Sequence, residues 1–347
     1  MLRHMSMSVG RAVASEGGVL PSVAEWKRAI APYTQARTRI ALWQLANTLV
    51  PLAALWVAMA YCAEYSLLAA LPLAAIAGLF LVRTFIIFHD CGHGSFFRSR
   101  WANDVAGVVT GLLVITPYHQ WRWEHAQHHA TSGDLDRREV GDVWTMTLEE
   151  YRAASPSLRL RYRFARNPLV LFLVAPFWLF VLKQRRSNAN ASPFIRRTVW
   201  YTNLALVVKA TLFSLWIGFG PYLALQLTAI AVAGAGGVWL FFVQHQFDGV
   251  YWGRSKDWDY TAAALKGSSF YDLPAVLRWF SGNIGYHHLH HLSPRIPNYA
   301  LVACHEHTGI SDTVEPLTLL SSLRSMRLHL WDEARRKLVT FRSARGL

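Results

Sequence analysis

Four long apolar runs dominate the sequence and limit the folds that it can adopt. They lie at residues 40–62, 67–88, 199–219 and 222–243, and none contains an aspartate or a glutamate. A helix needs about 20 apolar residues to cross roughly 30 Å of hydrocarbon, and each run is long enough to do so. The sequence therefore predicts an all-α membrane protein with four transmembrane helices.

Two short loops pair these runs into hairpins and indicate their sidedness. The loops at 63–66 and 220–221 contain no Lys or Arg, whereas every longer polar segment contains several. Cytoplasmic loops are enriched in Lys and Arg, so we expect both termini and all longer polar segments to be cytoplasmic. The chain is then a multi-pass integral membrane protein.

Two shorter apolar runs and one lysine complicate this picture. The run 169–182 has only 14 residues, and a full crossing there would put His89 and His245 on opposite sides of the membrane. We therefore predict that 169–182 is an interfacial or half-inserted helix, and that 105–115 is another. Lys209 lies near the middle of the third span and should face the helix bundle or a water-filled cavity.

The charge distribution narrows the possible partners. The formal net charge is +14. The basic residues flank the apolar runs and form no separate domain, which argues against a nucleic-acid partner. They suit anionic lipid headgroups or an acidic electron-donor protein.

No repeat or linker divides the chain, so it is predicted to be a single domain over 1–347. Residues 1–39 form a cytoplasmic N-terminal segment, 40–300 the four-helix core and 301–347 a cytoplasmic C-terminal segment. Leucines interleaved with arginines over 316–339 are typical of an amphipathic surface helix.

Histidines cluster where the apolar runs end. The sequences HDCGH, HAQHH and HHLHH place them three or four residues apart, a spacing that puts side chains on one helix face. If the third cluster repeats the spacing of the second, His288 points away from the others. The remaining candidate metal ligands are His89, His93, His125, His128, His129, His245, His287, His290 and His291.

This set of ligands indicates two metal ions, because eight clustered histidines plus His245 exceed what one ion can bind. Imidazole suits zinc, copper, iron and nickel, and the three cysteines form no C-x-x-C pair that would add thiolate ligands. A structural zinc site needs only four ligands. A bis-histidine haem would require single histidines deep in facing helices. A histidine-rich solvated loop is the remaining alternative.

Polar and aromatic residues near the clusters are candidates for supporting roles. A metal-ligating histidine usually donates its other N–H to a carboxylate or carbonyl. The candidate outer partners are Asp90, Glu124, Asp142 and Asp248. Asp90 has the alternative of capping a helix or pairing with Arg98. Asn283 could hold a metal-bound water or cap a helix.

Two tryptophans flank the second cluster. Trp121 and Trp123 could line a substrate tunnel, or they could anchor their helix at the membrane interface.

A dimetal centre directly beneath a membrane hairpin suits a substrate whose reactive carbon lies in lipid. Acids, bases and nucleophiles do not attack unactivated C–H bonds, whereas metal-activated oxygen does. No glycine-rich segment has the strand–turn–helix setting of a nucleotide site, so electrons must come from outside the chain.

The sequence resembles the membrane-bound fatty acid desaturases. The resemblance rests on three histidine boxes, which are H-x3-H at 89–93, H-x2-H-H at 125–129 and H-x2-H-H at 287–291. They are interleaved with two hairpins over residues 40–300. "HDCGHGSFF" and "GYHHLHHLSPRIPNY" resemble the acyl-lipid branch, which includes delta-12/omega-6-like and bacterial phospholipid desaturases. A bacterial inner membrane is the expected location.

The resemblance implies a cytoplasmic di-iron centre that uses O2 to introduce a cis double bond into a membrane lipid acyl chain. By position, its ligands are the eight box histidines, and His245 resembles an additional ligand after the fourth span. A separate ferredoxin-type or cytochrome-type donor is expected on the basic cytoplasmic face. The double-bond position stays open.

Two other functions are compatible with the same residues. A di-iron hydroxylase or ketolase of an alkyl, sterol or carotenoid substrate would use the same histidines and insert oxygen. A lipid or metal sensor would bind metal without turnover.

Overall fold

The computed structural model describes residues 22–138, 141–310 and 314–345. Residues 1–21 of the predicted cytoplasmic N-terminal segment lie outside the described residues. The longer helices, of eight or more residues, are α1 Val23–Ile30, α2 Thr38–Tyr65, α3 Leu67–His93, α4 Arg100–Leu113, α5 Tyr118–Thr131, α7 Pro156–Ala165, α9 Pro193–Ile217, α10 Phe219–His245, α11 Tyr260–Gly267 and α14 Asn298–Thr308. The shorter ones are α6 Leu148–Ala153, α8 Ala175–Phe177, α12 Ala275–Phe280, α13 His287–Leu292 and α15 Leu319–Ser322.

Short strands and irregular helical turns complete the described chain. The strands are β1 Met146–Thr147, β2 Phe270–Tyr271, β3 Pro316–Leu317, β4 Leu330–Asp332 and β5 Lys337–Val339. The π-helical turns Val170–Val174 and Trp178–Leu182 flank α8. The 3₁₀ turns are Ala31–Tyr33, Lys183–Arg185, Leu323–Arg327 and Phe341–Arg345.

The prediction of four membrane-crossing helices is confirmed by α2, α3, α9 and α10. Each is apolar and has 25 to 28 residues. At 1.5 Å per residue each extends about 40 Å, more than a bilayer core of roughly 30 Å. Helix α3 continues past the predicted end at 88 to His93, and α10 past 243 to His245. Their histidines therefore lie on the last helical turns.

Helix α3 is the centre of the bundle and packs against both α2 and α10. A Cβ at Gly78 of α3 would lie only 2.7 Å from the Cβ of Val232 in α10, so glycine permits this close approach. Helix α9 packs along α10 on the outside and leaves most of its apolar side chains exposed. Exposed apolar side chains on a long helix are what lipid contact requires.

The run 169–182 forms α8 and its π-helical turns, and the segment that contains them is bent by 62° from α7. Pro176 is buried against Gly234 of α10, where a Cβ would lie 2.6 Å away. The ends of α3 and α10 meet in one histidine cluster, described below, so an even number of crossings separates them. Helices α9 and α10 already supply two. This geometry favours the predicted half-inserted segment over a fifth span.

The run 105–115 lies largely within α4, whose C-terminal end is held by two basic side chains. Lys209 of α9 donates from Nζ to the carbonyl of Leu112, at 3.0 Å. Arg185 donates to the carbonyl of Ile115. Cations stabilise the carbonyl end of a helix. Lys209 therefore faces the bundle, as a charge within a span must.

The prediction of an amphipathic helix over 316–339 is wrong. The segment contains β3, α15, a 3₁₀ turn and the antiparallel hairpin of β4 and β5, with Arg336 in the turn at φ +49°. Strand β4 also pairs with β1, and Leu330 and Trp331 are at most 2% exposed. Long-range pairing and burial of these residues override the local periodicity.

Candidate metal centre

Nine histidines from four helices meet at one end of the bundle. They form two groups, and within each group the candidate ligand atoms all lie within 4.8 Å of one another. Group A consists of His89, His93, His125, His129 and His290. Group B consists of His128, His245, His287 and His291. All nine predicted ligands are therefore brought together, including His245, which stands outside the sequence boxes.

The second and third boxes each divide their histidines between the two groups, whereas the first box gives both His89 and His93 to group A. Helix α5 gives His125 and His129 to group A and His128 to group B. The sequence-based expectation that the three share one face is thus incomplete. Adjacent residues on a helix point about 100° apart, so His128 and His129 diverge toward different groups.

The third box divides in the opposite sense. Helix α13 gives His287 and His291 to group B and His290 to group A. His288 is fully buried but belongs to neither group. Its ring lies 5.7 Å from that of Phe270 and 5.8 Å from that of His305, on the far side of α13.

The distances between ring nitrogens suit shared coordination. In group A, Nε2 of His129 lies 3.1 Å from Nε2 of His125 and 3.0 Å from Nε2 of His290. In group B, Nε2 of His287 lies 3.0 Å from Nε2 of His245. Two imidazoles bound about 2.1 Å from one ion at a right angle have nitrogens about 3.0 Å apart, whereas a tetrahedral angle separates them by about 3.4 Å.

Five of the rings are held in the neutral form that binds metal. Burial, reinforced by neighbouring histidines, lowers the pKa of five histidines on α5 and α13 well below the ordinary histidine range. These are His125, His129, His287, His290 and His291. Metal ligation requires the unprotonated imidazole, so burial prepares these side chains for it.

Several buried ring nitrogens have no protein partner. Nε2 of His93 in group A, and Nε2 of His128 and of His291 in group B, are buried and lack a hydrogen-bond partner among the described residues. Such atoms are rare in folded proteins because each carries a desolvation cost. A metal ion at each group would satisfy them, so the residues present fit two ions.

Asp90 orients a ligand of group A through a network that reaches the first hairpin. Its Oδ1 lies 3.1 Å from Nδ1 of His89, and its Oδ2 accepts from the backbone and side-chain nitrogens of Asn298 at 2.6 and 2.8 Å. Gln44 of α2 donates to Oδ1 of Asn298 at 2.8 Å. Arg98 donates instead to the carbonyl of Ala36. Sequence reasoning missed Asn298 and Gln44, which lie far from the boxes along the chain.

Group B is supported by partners from nearby loops. Oδ1 of Asp142 lies 2.9 Å from Nδ1 of His128, which leaves Nε2 of that ring to face the group. Nδ1 of His245 lies 3.2 Å from the carbonyl of Gly267, at the end of α11. A backbone carbonyl has no signature in the sequence, so this partner could not be predicted.

Three of the predicted outer partners form no hydrogen bond with a histidine of either group within the described part of the chain. Glu124 accepts a hydrogen bond from Nδ2 of Asn188 at 3.3 Å. Asp248 is exposed in the turn that follows α10. Asn283 has φ +60°, caps no helix, and donates to the carbonyl of Asn298 at 3.1 Å. Asn283 therefore braces the group A network without reaching the centre.

An apolar cavity of about 350 Å³ opens onto both groups. Its walls come from α3, α10 and the bent segment, and include Phe85, Phe180 and Phe241. His89 and His125 of group A line its inner end, together with His128 and His287 of group B.

Only one of the two predicted tunnel tryptophans reaches this cavity. Trp121 lines it and stacks on His125, with ring centroids 4.3 Å apart. Trp123 is half-buried and does not line the cavity.

Comparison with known proteins assigns this architecture to a family. The family described as "Fatty acid desaturase" matches residues 65–312, which include every histidine of both groups. The chain is 43% identical over 318 residues to a fatty acid desaturase of Bacillus subtilis, covering 92% of this chain and 90% of that protein. The chain belongs to the fatty acid desaturase family. It is therefore an oxidoreductase, and the desaturase expectation is confirmed.

More distant desaturases carry more specific names. The chain is 28% identical over 243 residues to an sn-1 oleoyl-lipid 12-desaturase of Synechocystis, covering 66% of this chain and 65% of that protein. It is 29% identical over 254 residues to a chloroplastic sn-2 acyl-lipid omega-3 desaturase (ferredoxin) of sunflower, Helianthus annuus, covering 67% of this chain and 54% of that protein. All three relatives are named as desaturases, and no observation favours the hydroxylase or ketolase alternative.

Proposed function

We propose that this desaturase introduces a cis double bond into an acyl chain of a membrane lipid, with two iron ions held by groups A and B. The observation that carries the proposal is the apolar cavity, whose inner end is walled by histidines of both groups. An acyl chain in this cavity would lie with its methylenes against the centre. Group A offers five imidazole ligands, one more than a closed zinc site takes, and imidazole is also a ligand of iron.

Bound iron with O2 supplies the oxidising power that an unactivated C–H bond requires. The reaction removes one hydrogen from each of two adjacent methylenes. Together with two electrons and two protons, these hydrogens reduce O2 to two waters. The protein's own contribution is to hold the nine imidazole rings in place, to orient the chain along Phe85 and Trp121, and to keep bulk water out of the cavity.

The electrons must come from a separate protein. The name of the sunflower relative, which specifies ferredoxin, supports a ferredoxin-type donor. A cytochrome-type donor would dock on the same basic surface. The exposed Arg98, Arg100 and Arg122 lie close in sequence to group A ligands. An acidic donor would dock on this basic side, which the positive-inside rule assigns to the cytoplasm of a bacterial inner membrane.

The test is a fatty-acid profile, with double-bond positions, of bacterial membranes that express the chain together with a ferredoxin and its reductase. We expect a new cis olefin with the parent chain and none with His290→Ala, which removes one ligand of group A. His288→Ala is the matched control, because it changes the same helix outside both groups. A hydroxylated lipid, or an unchanged profile with the full donor system, would contradict the proposal.

A further inference from the structure

A second cavity, of about 460 Å³, lies at the outer edge of the acyl cavity. The two share four lining residues, which are Glu124, Lys183, Gln184 and Asn188. The second cavity is lined mainly by the loop that follows the bent segment. Trp178 and Leu182 on its rim are 54% and 60% exposed, as expected of side chains at a membrane interface.

The loop that forms this second cavity is built onto α5. The buried side chain of Gln120 donates to the carbonyl of Arg186 at 3.1 Å and accepts from the backbone nitrogen of Asn188 at 2.9 Å. Asn188 in turn donates to Glu124. The loop is therefore fixed relative to the helix that carries His125, and the outer cavity has a defined position relative to the centre.

Two basic side chains of this cavity have no acidic partner. Lys183 and Arg186 are exposed and line the cavity, and neither forms an ion pair within the described part of the chain. Lys183 lies over the ring of Trp178, at 5.8 Å from its centroid. Arg185, between them, is already bonded to Asn203 and Ile115. Among the described residues, the cavity thus offers two cationic side chains without an acidic partner, at the level of the membrane interface.

The residues shared by the two cavities include a neutral amide side chain, that of Gln184. Gln184 is 4% exposed and lines both cavities. Its side-chain Nε2 can donate to an ester carbonyl. Glu124 lines both cavities as well, so it repels any anionic group that does not lie against Lys183 or Arg186. A neutral ester meets no such repulsion.

We infer that the outer cavity binds the phosphate of a glycerophospholipid through Lys183 and Arg186, with the ester at Gln184 and the acyl chain in the inner cavity. The inference rests on the proposed function, because it names the carrier of the acyl chain. Lys and Arg bind phosphate by charge-assisted hydrogen bonds, and their place beside Trp178 matches the depth of a headgroup. A water-soluble phosphate-bearing thioester is the competing source of the same chemistry.

The test compares three proteins and three ligands. The proteins are the parent chain, the double variant Lys183→Gln/Arg186→Gln, and the matched control Arg196→Gln/Arg197→Gln. The control removes two exposed charges at the start of α9 that line neither cavity. The ligands are phosphatidylglycerol, diacylglycerol with the same acyl chains, and palmitoyl-coenzyme A. Binding to each protein in neutral detergent is measured by native mass spectrometry, and kcat/KM by product analysis with donor and reductase.

We expect the parent to favour phosphatidylglycerol over diacylglycerol by about tenfold or more in both measurements, the size of one or two charge-assisted hydrogen bonds. The double variant should lose this preference and keep its turnover of diacylglycerol. The Arg196/Arg197 control should keep the preference. Retained turnover would show that the double variant is folded and that its metal centre is intact.

Three outcomes would overturn the inference. The double variant could keep the parent's preference, or the control could lose it equally, which would indicate a general surface-charge effect. A stronger preference for palmitoyl-coenzyme A that depends on Lys183 and Arg186 would identify the soluble thioester, and not the phospholipid, as the ligand of the outer cavity. Headgroup-dependent binding without any olefin from any ligand would instead contradict the proposed function and leave the phosphate site supported.

Discussion

Groups A and B are built from the same parts in opposite arrangement. Group A takes the i, i+4 pair of α5 and one histidine of α13, whereas group B takes the i, i+4 pair of α13 and one histidine of α5. Each group is completed from one membrane helix, α3 for group A and α10 for group B. An H-x2-H-H box is therefore the spacing by which one helix contributes candidate ligands to both groups. The second and third boxes each contribute to both groups and so link them, whereas α3 contributes only to group A and α10 only to group B.

The groups differ in how their ligands are supported. Asp90 of group A is bonded to Asn298, which is bonded to Gln44 in α2, so this support reaches into the membrane bundle. The support of group B comes from Asp142 and from the carbonyl of Gly267, both outside the spans. Group A is thus tied to the membrane-spanning helices, and group B to the segments outside them. We expect the two groups to respond differently when their supports are changed.

The largest effect should follow from removing one ligand of each group. His290→Ala opens group A and His291→Ala opens group B, and each change should lower activity by more than about a hundredfold, beyond the effect typical of outer partners. Iron content, measured by elemental analysis after loading, should fall by about one ion per chain in each variant.

His288→Ala is the control for both ligand variants, since it should retain both ions. If either ligand variant kept the parent's iron content, the division into groups A and B would be incorrect. Loss of both ions in both variants would show that the groups fold as one unit.

A smaller effect should follow from weakening the outer carboxylates. Asp90→Asn and Asp142→Asn keep the shape of the side chain and remove its charge, and each should lower metal affinity or activity by about 10- to 100-fold. In each variant, a chelator should remove one of the two iron ions faster than it does from the parent chain, and activity should fall as that ion is lost.

Asp248→Asn is the matched control, because Asp248 is exposed and should leave iron retention unchanged. An equal effect of Asp248→Asn would mean that the carboxylates act through surface charge. If Asp142→Asn affected the retention of both ions, the supports of groups A and B would not be separate, and the proposed difference between them would be wrong.

A still smaller effect, confined to group A, is expected from Gln44→Leu. This change removes the donor to Asn298 but leaves Asp90 and His89 in contact, so iron at group A should dissociate several-fold faster, on the order of one lost hydrogen bond. Chelation kinetics measure this rate. Unchanged kinetics would show that the network through α2 does not stabilise group A.

The smallest effect on the metal centre is expected from Gly237→Leu. Gly237 lines the acyl cavity, and open space surrounds the position of its missing Cβ. Leucine should fill part of the cavity and shift the products toward shorter acyl chains, while both ions are retained. Product chain lengths are measured by gas chromatography.

Gly220→Leu is the control for the cavity change, because Gly220 lies in open space at the other end of the same helix. If Gly237→Leu released iron, the cavity wall would be part of the support of the groups. Unchanged chain-length preference would show that this wall does not limit the substrate.

The sequence by itself determined the spans, the boxes and the family. Four apolar runs predict four helices because the bilayer requires each one to satisfy its own backbone hydrogen bonds. Histidines three and four residues apart predict a ligand-bearing helix because that spacing is local. Asp90 and Asp142 could be proposed as outer partners because they lie close to the boxes along the chain.

Only the tertiary structure decided the division of the boxes between two groups, the partners Asn298, Gln44 and Gly267, and the hairpin at the C-terminal end. Asn298 lies 208 residues from Asp90 and 254 from Gln44, so no local pattern relates them. The sequence of α5 carries three candidate ligands, but which group each one joins depends on where α3, α10 and α13 lie around it. Periodicity along one helix predicts a face, and the neighbouring helices decide what that face meets.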